Sequence, residues 1–211
     1  MKIVFLHGLY MHGVALLPLS QRLEKLGYRT DVLSYNTVNI NSEHVFKKLD
    51  TLLDPFETNI LVGHSLGGLM IKHYLASRKP LRAKISHVIA VGSPIRGASI
   101  VEKLTDLGFG AFLGNSTDHG LEKHDDTWDF PQRLGCIAGT LSIGLRPILL
   151  GGEMMSDGTV TVEETKIDGM TDHLTMNSNH TSLLYSNYIP NQIDHFIQFN
   201  CFEQSDFVDA G

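Results

Sequence analysis

The stretch from Asn59 to Ala76, NILVGHSLGGLMIKHYLA, changes character in its middle. Asn59 and the three apolar residues after it, Ile60 to Val62, predict a short strand, whereas Leu66 to Ala76 predict an amphipathic helix. Ser65 stands between them in the pattern Gly-x-Ser-x-Gly. A sharp turn at this point holds the serine hydroxyl away from its own backbone, and glycines are needed around it because a Cβ atom would strike neighbouring backbone. The stretch therefore predicts a nucleophilic serine on a strand-to-helix turn.

Strands and helices alternate on both sides of this turn. Strands are predicted at Lys2 to Leu6, Tyr28 to Tyr35, Asn59 to Val62, Ile85 to Val91, Arg133 to Gly139 and His173 to Met176. Helices are predicted at Val14 to Gly27, Asn41 or Ser42 to Leu53, Leu66 to Ser77, Ala98 to Leu107 and Asn191 to Cys201. This alternation predicts an α/β fold: a mostly parallel sheet of roughly six strands with helices on both faces. The chain suits a single domain, 1–211, in which the less regular segment 93–131 forms a small cap or irregular insertion.

Composition excludes several classes of protein. With 17 Lys and Arg against 23 Asp and Glu, the net charge of −6 argues against a nucleic-acid partner. No stretch is long and apolar enough for an integral membrane segment, and the first residues do not resemble a signal peptide. The two cysteines, Cys136 and Cys201, are expected to be reduced. These features together predict a cytoplasmic protein.

A reactive serine needs a base and an acid, which follow it in the order Ser, Asp or Glu, His in this kind of arrangement. Asp157 lies in the turn MSDGTV after the fifth strand, and His180 lies in NSNHTSLL after the sixth. Both are therefore expected at the carboxyl edge of the sheet, where His180 would accept the proton of Ser65 and Asp157 would orient the imidazole. The alternative acids are Asp126 and Asp129, and less favourably Glu163 and Glu164.

Acyl transfer also needs backbone amides that stabilise an oxyanion. The predicted donors are the N–H of Leu66, next to the nucleophile, and the N–H of Leu9, in the loop FLHGLY after the first strand. His7 is interpreted as an orienting hydrogen-bonding residue rather than the base. Residues beside these turns are expected to contact the substrate, although His64 also suits packing against the turn: Tyr10, His64, Pro94 and Ile95.

The remaining histidines have simpler interpretations. His173, in or near the sixth strand, and His195, on the last helix, are predicted to be structural or surface residues. A group of polar residues could suggest a metal site, but it lacks paired ligand spacing and favours a solvated loop: His119, His124, Asp125 and Asp126. No metal site is therefore predicted.

The chain resembles α/β-hydrolases, and more narrowly small lipase-like and esterase-like members, including GPI inositol-deacylase-like and triacylglycerol lipase-like proteins. The resemblance spans nearly the whole chain and rests on the motifs FLHGLY, VGHSLGG, GSPIRGAS, SDGTV and NHTSLL. It implies a hydrolase of carboxylic esters that works without a cofactor, with Ser65, Asp157 and His180 as the triad and the amides of Leu9 and Leu66 as the oxyanion hole. Unlike larger members, the chain begins with the strand that precedes the predicted oxyanion loop, and it has little sequence from which a cap could form. The small cap disfavours long-chain triglycerides as substrates.

Two loops suggest the substrate. Residues 99–114 and 139–152 are rich in Leu, Ile, Phe and Gly and follow strand ends, so they predict an apolar acyl site; a sheet-covering role is the alternative. The expected substrate is a small ester or thioester with a short or medium acyl group. A thioesterase, an acyltransferase, a peptidase and a non-catalytic binding module remain alternatives.

Overall fold

The computed structural model describes residues 1–97, 127–144, 146 and 154–204. Its sheet is entirely parallel and has the strand order β2-β1-β3-β4-β5-β6. The bounds of the strands are β1 (Lys2–Leu6), β2 (Arg29–Leu33), β3 (Asn59–His64), β4 (Ile85–Val91), β5 (Arg133–Gly139) and β6 (Asp172–Met176). The predicted six-stranded α/β architecture is therefore confirmed, and each strand agrees with its predicted position to within two residues.

Four α-helices are described: α1 (Leu17–Lys25), α2 (Ser42–Leu52), α3 (Leu66–Arg78) and α4 (Ile189–Phe199). The first differs from its prediction because Gly13–Leu16 forms a separate 3-10 turn. The last begins two residues earlier than Asn191. In both helices a proline, Pro18 or Pro190, occupies the first turn. Proline is favoured there because a helix does not use the N–H groups of its first turn.

The alternation of apolar side chains along each strand builds a core on both faces of the sheet. In β1, Val4 and Leu6 join the cluster beneath α2 and α3, whereas Ile3 and Phe5 join the cluster beneath α1 and α4. Successive side chains of a strand point to opposite faces, so a strand covered on both sides must be apolar throughout. All four of these side chains are fully buried.

The strand order fixes where a ligand can bind. The chain runs from β1 to β2 in one direction and then crosses back over β1 to β3. In an open parallel sheet the crevice outside the carboxyl ends of the strands, at such a reversal, is the usual ligand site. This crevice lies between the loop after β1 and the turn after β3.

None of the helices that the structure describes is long and apolar enough to cross a membrane. The predicted cytoplasmic location stays a prediction. The two cysteines are not bonded to each other: Cys136 is buried in β5 and Cys201 is exposed. The predicted helix 98–107 and most of the segment 93–131 lie outside the described residues.

Candidate active site

Ser65 joins β3 to α3 in a strained conformation. Its backbone has φ 54° and ψ −124°, a region that residues with a Cβ atom rarely adopt. Its N–H donates a hydrogen bond of 3.0 Å to the carbonyl of Val91, at the end of β4. A methyl group on Gly67 would collide with the carbonyl of Leu6, which explains why a glycine follows the serine so closely. The sharp turn predicted from the sequence is present.

The loop after β1 packs directly against this turn. A methyl group on Gly8 would lie 2.8 Å from Cβ of Ser65, closer than side-chain carbons normally approach. Within the described part of the chain, neither the amide of Leu9 nor that of Leu66 has a hydrogen-bond acceptor. Two unpaired amides therefore flank the serine, on the two elements that the sequence predicts for an oxyanion hole.

His7 supports that loop rather than facing the nucleophile. Its Nε2 accepts a hydrogen bond of 3.2 Å from the backbone N–H of Tyr35, and its Nδ1 lies 3.1 Å from the carbonyl of Gly8. The hydroxyl of Tyr35 donates to the carbonyl of His7 at 2.8 Å. Burial lowers the pKa of His7, so its neutral form is favoured. Both ring nitrogens are occupied by backbone, as expected of an orienting residue.

Asp157 and His180 form a close hydrogen-bonded pair. Oδ2 of Asp157 lies 2.6 Å from Nδ1 of His180, and the backbone N–H of His180 donates to the carbonyl of Asp157 at 2.8 Å. The other carboxylate oxygen, Oδ1, accepts hydrogen bonds from the amides of Thr159 and Val160 at 2.9 and 2.7 Å. The carboxylate is only 1% exposed, so these partners compensate for its lost hydration. Because Nδ1 faces the carboxylate, Nε2 of His180 is left to accept a proton.

The turn that carries Asp157 is braced by residues that the sequence analysis did not assign. Oε2 of Glu164 accepts from the N–H of Thr161 at 2.7 Å, and the N–H of Glu164 donates to the hydroxyl of Thr161 at 3.2 Å. Glu164 also pairs with the buried Arg146 at 3.6 Å, and the N–H of Arg146 donates to the carbonyl of Gly158. The reciprocal bonds form a capping box, whose signal Thr-x-x-Glu is visible in the sequence. No local signal indicates the role of Arg146.

The Asp157–His180 pair lies beside the residues that hold Ser65. A methyl group on Gly92, the residue after β4, would lie 3.2 Å from Oδ2 of Asp157 and 3.3 Å from Nδ1 of His180. Ser65 is bonded to Val91, the residue immediately before that glycine. Among the hydrogen bonds of the described residues there is none between Ser65 and His180. Catalytic hydrogen bonds are often long or poorly aligned without substrate. The missing bond between Ser65 and His180 is therefore compatible with His180 as the base.

His64, the residue before Ser65, contacts His180 of the Asp157–His180 pair. Its ring centroid is 4.8 Å from that of His180, and its Nε2 lies 3.0 Å from the carbonyl of His180, to which it donates a hydrogen bond. Its Nδ1 is buried and has no hydrogen-bond partner among the described residues. Burial, followed by the neighbouring His180, lowers the pKa of His64 to about 3. The imidazole is therefore neutral at ordinary pH and acts as a donor to the backbone of His180.

The other predicted contact residues differ in their accessibility. Tyr10 is 59% exposed at the mouth of the crevice, with φ 54°. Pro94 and Ile95 are buried in the turn after β4, as is His64 at the end of β3, so substrate contact by these residues stays a prediction. Asp129 is exposed and makes no bond to His180 among the contacts of the described chain.

The remaining histidines bond elsewhere. His173 lies in β6 with its Nε2 2.8 Å from the hydroxyl of Thr165, and Nδ1 of His195 on α4 lies 2.8 Å from the carbonyl of Cys201. The described residues contain no group of three or more His, Cys, Asp or Glu that could hold a metal ion. Several predictions concern residues outside the described ranges: the polar group His119, His124, Asp125 and Asp126, and most of the two apolar walls, 99–114 and 139–152.

Comparison with known proteins supports the fold. No family model and no curated protein sequence matches the chain. The solved structures that resemble it include the mature Bacillus licheniformis lipase BlEst2, with 21% identity over 93% of this chain and 90% of that one and a TM-score of 0.69. The metagenomic carboxyl esterase MGS0156 has 18% identity over 95% and 76% of the two chains and the same TM-score, 0.69. The methylesterase MES16 from Arabidopsis has 17% identity over 94% and 99%, with a TM-score of 0.57.

These three structures match 93 to 95% of this chain. At 17 to 21% identity the likeness establishes the architecture and leaves the reaction to the site itself. The chain therefore has the α/β-hydrolase fold.

Proposed function

We propose that the protein is a serine hydrolase of carboxylic esters, with Ser65 as nucleophile, His180 as general base and Asp157 as the acid that orients it. The observation that carries this proposal is the 2.6 Å pair between Asp157 and His180, next to a serine held at positive φ. A binding module would need neither the strained serine nor the buried carboxylate. Among solved structures of this architecture, several are described as lipases or esterases.

In the first half of the reaction, Oγ of Ser65 attacks the carbonyl carbon of the ester while Nε2 of His180 takes its proton. The carbonyl oxygen becomes an oxyanion, which the amides of Leu9 and Leu66 stabilise by hydrogen bonds. The bond to the alcohol oxygen then breaks, and His180 gives its proton to the leaving alcohol. The acyl group is left on Ser65.

In the second half, water attacks the acyl-enzyme and gives a proton to Nε2 of His180. The bond between the acyl carbon and Oγ of Ser65 breaks, the carboxylic acid leaves, and the serine recovers its proton. Asp157 stays ionised throughout and stabilises the imidazolium that forms twice in the cycle. If a thiol ester replaces the ester, or an alcohol replaces the water, the same residues act as a thioesterase or an acyltransferase.

The substrate is a small ester with a short or medium apolar acyl group. Support for this comes from the apolar composition of 99–114 and 139–152 and from the small size of any cap. A series of nitrophenyl esters from acetyl to decanoyl measures the preference directly. We expect kcat/KM to peak between butyryl and octanoyl, and a maximum at acetyl would reject the extended apolar site.

The central test is labelling by a fluorophosphonate probe, which reacts with activated serines. We expect the folded protein to be labelled at Ser65 and the Ser65→Ala variant not to be labelled. Ser77→Ala, which removes an exposed serine from the other end of α3, is the matched control and should label like the unmodified protein. Absence of labelling on folded protein would favour a binding module, and labelling that persists in Ser65→Ala would assign the nucleophile to another residue.

A further inference from the structure

A cleft of about 540 Å³ opens at the carboxyl ends of β1 and β2, beside the loop that carries Leu9. Its rim begins at Tyr10, two residues after Gly8, which packs against Ser65. Two residues of chain span at most about 7 Å, so a substrate held at Ser65 can extend into the cleft. The polar side chains in its lining include Tyr10, His12, Ser34, Asn36, Thr37 and Lys48.

The side-chain oxygen atoms of Ser34, Asn36 and Thr37 already accept hydrogen bonds from backbone amides, so each of these side chains keeps a donor for a ligand. Oδ1 of Asn36 accepts from the amides of Val38 and Asn39 at 3.0 and 2.9 Å, so its NH2 group remains. The hydroxyl of Thr37 accepts from the N–H of Tyr10 at 3.1 Å and can still donate its own proton. Ser34 likewise accepts from the loop after β1, through the N–H of Gly13.

The charge of the cleft is positive although the protein as a whole carries −6. Its lining includes Lys48 and no Asp or Glu among the described residues. Lys47, the preceding residue of α2, pairs with Glu43 at 3.7 Å, whereas no described carboxylate forms an ion pair with Lys48. Donors beside a cation, with no carboxylate in the lining, suit an anion with several oxygen atoms.

The position of the cleft indicates which part of the substrate enters it, and this step rests on the proposed function. The predicted apolar walls follow β4 and β5, whereas the cleft follows β1 and β2, and β3 with Ser65 lies between these pairs of strands. The acyl and alkoxy groups of a tetrahedral intermediate diverge from one carbon. If the acyl group extends towards the apolar walls, the alcohol portion extends towards the cleft.

We propose that this cleft binds an anionic oxygen group, a carboxylate or a phosphate, on the alcohol portion of the ester that Ser65 cleaves. Lys48 supplies the charge, and the amide of Asn36 and the hydroxyl of Thr37 supply directed hydrogen bonds. The protein then selects its substrates by their alcohol as well as by their acyl group.

The kinetic test keeps the acyl group constant and changes only the charge of the alcohol. The substrates are 3-butyryloxypropanoate, 2-butyryloxyethyl phosphate and the neutral 3-butyryloxypropanamide, and released butyrate is measured. An exposed ion pair is worth at most about fivefold, and the added hydrogen bonds give an expected preference in kcat/KM of about fivefold to tenfold for the anionic esters. The ratio between the carboxylate and phosphate arms shows which anion the cleft fits.

Lys48→Gln should reduce this preference to below about twofold, through a lower kcat/KM for the anionic esters. Lys47→Gln, on the same helix but outside the cleft, is the matched control and should keep the preference. Equal kcat/KM for the three substrates, or a preference that survives Lys48→Gln, overturns the proposal.

A second measurement does not depend on activity, so it separates failure of the cleft from failure of the proposed hydrolase. Titration with 3-hydroxypropanoate and with inorganic phosphate should shift the backbone amide resonances of Tyr10, Asn36 and Thr37 at millimolar concentration. The shifts should be lost in Lys48→Gln and kept in Lys47→Gln. Shifts without hydrolysis of any ester would leave the cleft in place and reject the reaction, whereas no shift with either anion rejects the cleft.

Discussion

The two sides of Ser65 are held by different kinds of interaction. On one side, the loop after β1 presents backbone amides, and neutral groups fix it: the ring of His7 and the hydroxyl of Tyr35. We call this the amide side. On the other side, the base side, a buried carboxylate, Asp157, orients an imidazole, His180. In the proposed reaction, the amide side would stabilise charge with fixed dipoles, whereas the base side would change its protonation. The amide side therefore depends on close packing, and the base side depends on a charge held in a buried position.

The largest expected effect comes from breaking the base side. Asp157→Asn keeps an oxygen that can accept from the amides of Thr159 and Val160, but its NH2 group faces Nδ1 of His180 and disfavours the productive tautomer. We expect kcat to fall by about 10³ to 10⁴ with little change in KM, because the acid acts in the transition state.

Asp129→Asn is the control for this prediction, since it changes an exposed acid of the same kind. Circular dichroism and thermal melting of both variants establish that they fold. If Asp129→Asn lowers kcat to the same extent and Asp157→Asn does not, the acid has been assigned to the wrong residue.

The amide side is broken by adding one carbon atom. In Gly8→Ala the new methyl group would lie 2.8 Å from Cβ of Ser65, so the loop must move away from the nucleophile and carry the amide of Leu9 with it. Loss of one oxyanion donor costs about 10² to 10³ in kcat, and a displaced donor should cost about 10². Steady-state kinetics measures the loss, and unchanged labelling by the fluorophosphonate probe would show that the serine is still activated.

A control away from the site is Gly27→Ala, at a glycine with open space around it and φ 94°. Unlike Gly8, this glycine has a positive φ, so the substitution strains the backbone without crowding the serine. If Gly8→Ala retains full kcat, the amide of Leu9 does not stabilise the oxyanion.

A smaller loss of kcat is expected from substitution of His64, which contacts both the amide side and the base side. His64 donates to the carbonyl of His180, so His64→Leu removes one part-buried hydrogen bond and leaves that carbonyl unpaired. A bond of this kind is worth about 1 kcal/mol, which corresponds to a loss in kcat of about fivefold. His64→Gln can place a donor near the position of Nε2 and should recover most of the activity. Equal losses in the two variants would indicate a packing role without the hydrogen bond.

The last prediction concerns the stability of the fold at low pH. The folded protein holds His64 neutral, with a pKa of about 3 against about 6.5 in the unfolded chain. Between these values the unfolded state binds more protons, so the free energy of unfolding falls as the pH decreases from about 6.5 towards 3. Burial lowers the pKa of His7 and of His173 in the same direction. Urea unfolding at several pH values measures the slope, which should be smaller in His64→Gln; an unchanged slope would contradict the assignment.

The sequence predicted the amide side more completely than the base side. The turn at Ser65 is local, because a strand, two glycines and a helix within twenty residues define it, and the glycine before Leu9 marks the second turn. The pairing of Asp157 with His180 was inferred from chain order alone, and its 2.6 Å hydrogen bond depends on how β5 and β6 are placed side by side. The brace from Arg146 to Glu164 was missed because their contact depends on the folding of a long loop. The assignment of the triad and of the oxyanion amides stays a prediction.

By itself, the sequence determined the alternation of strands and helices, the two-sided apolar core and the strained turn that carries the serine, because each of these depends on residues close together in the chain. Only the tertiary structure decided what surrounds that serine. It brought the imidazole of His180 against the ring of His64, 116 positions earlier in the chain, and placed the loops after β1 and β2 around one cleft. Contacts of this kind form where the carboxyl ends of parallel strands meet, and no local pattern of residues records which loops will face one another there.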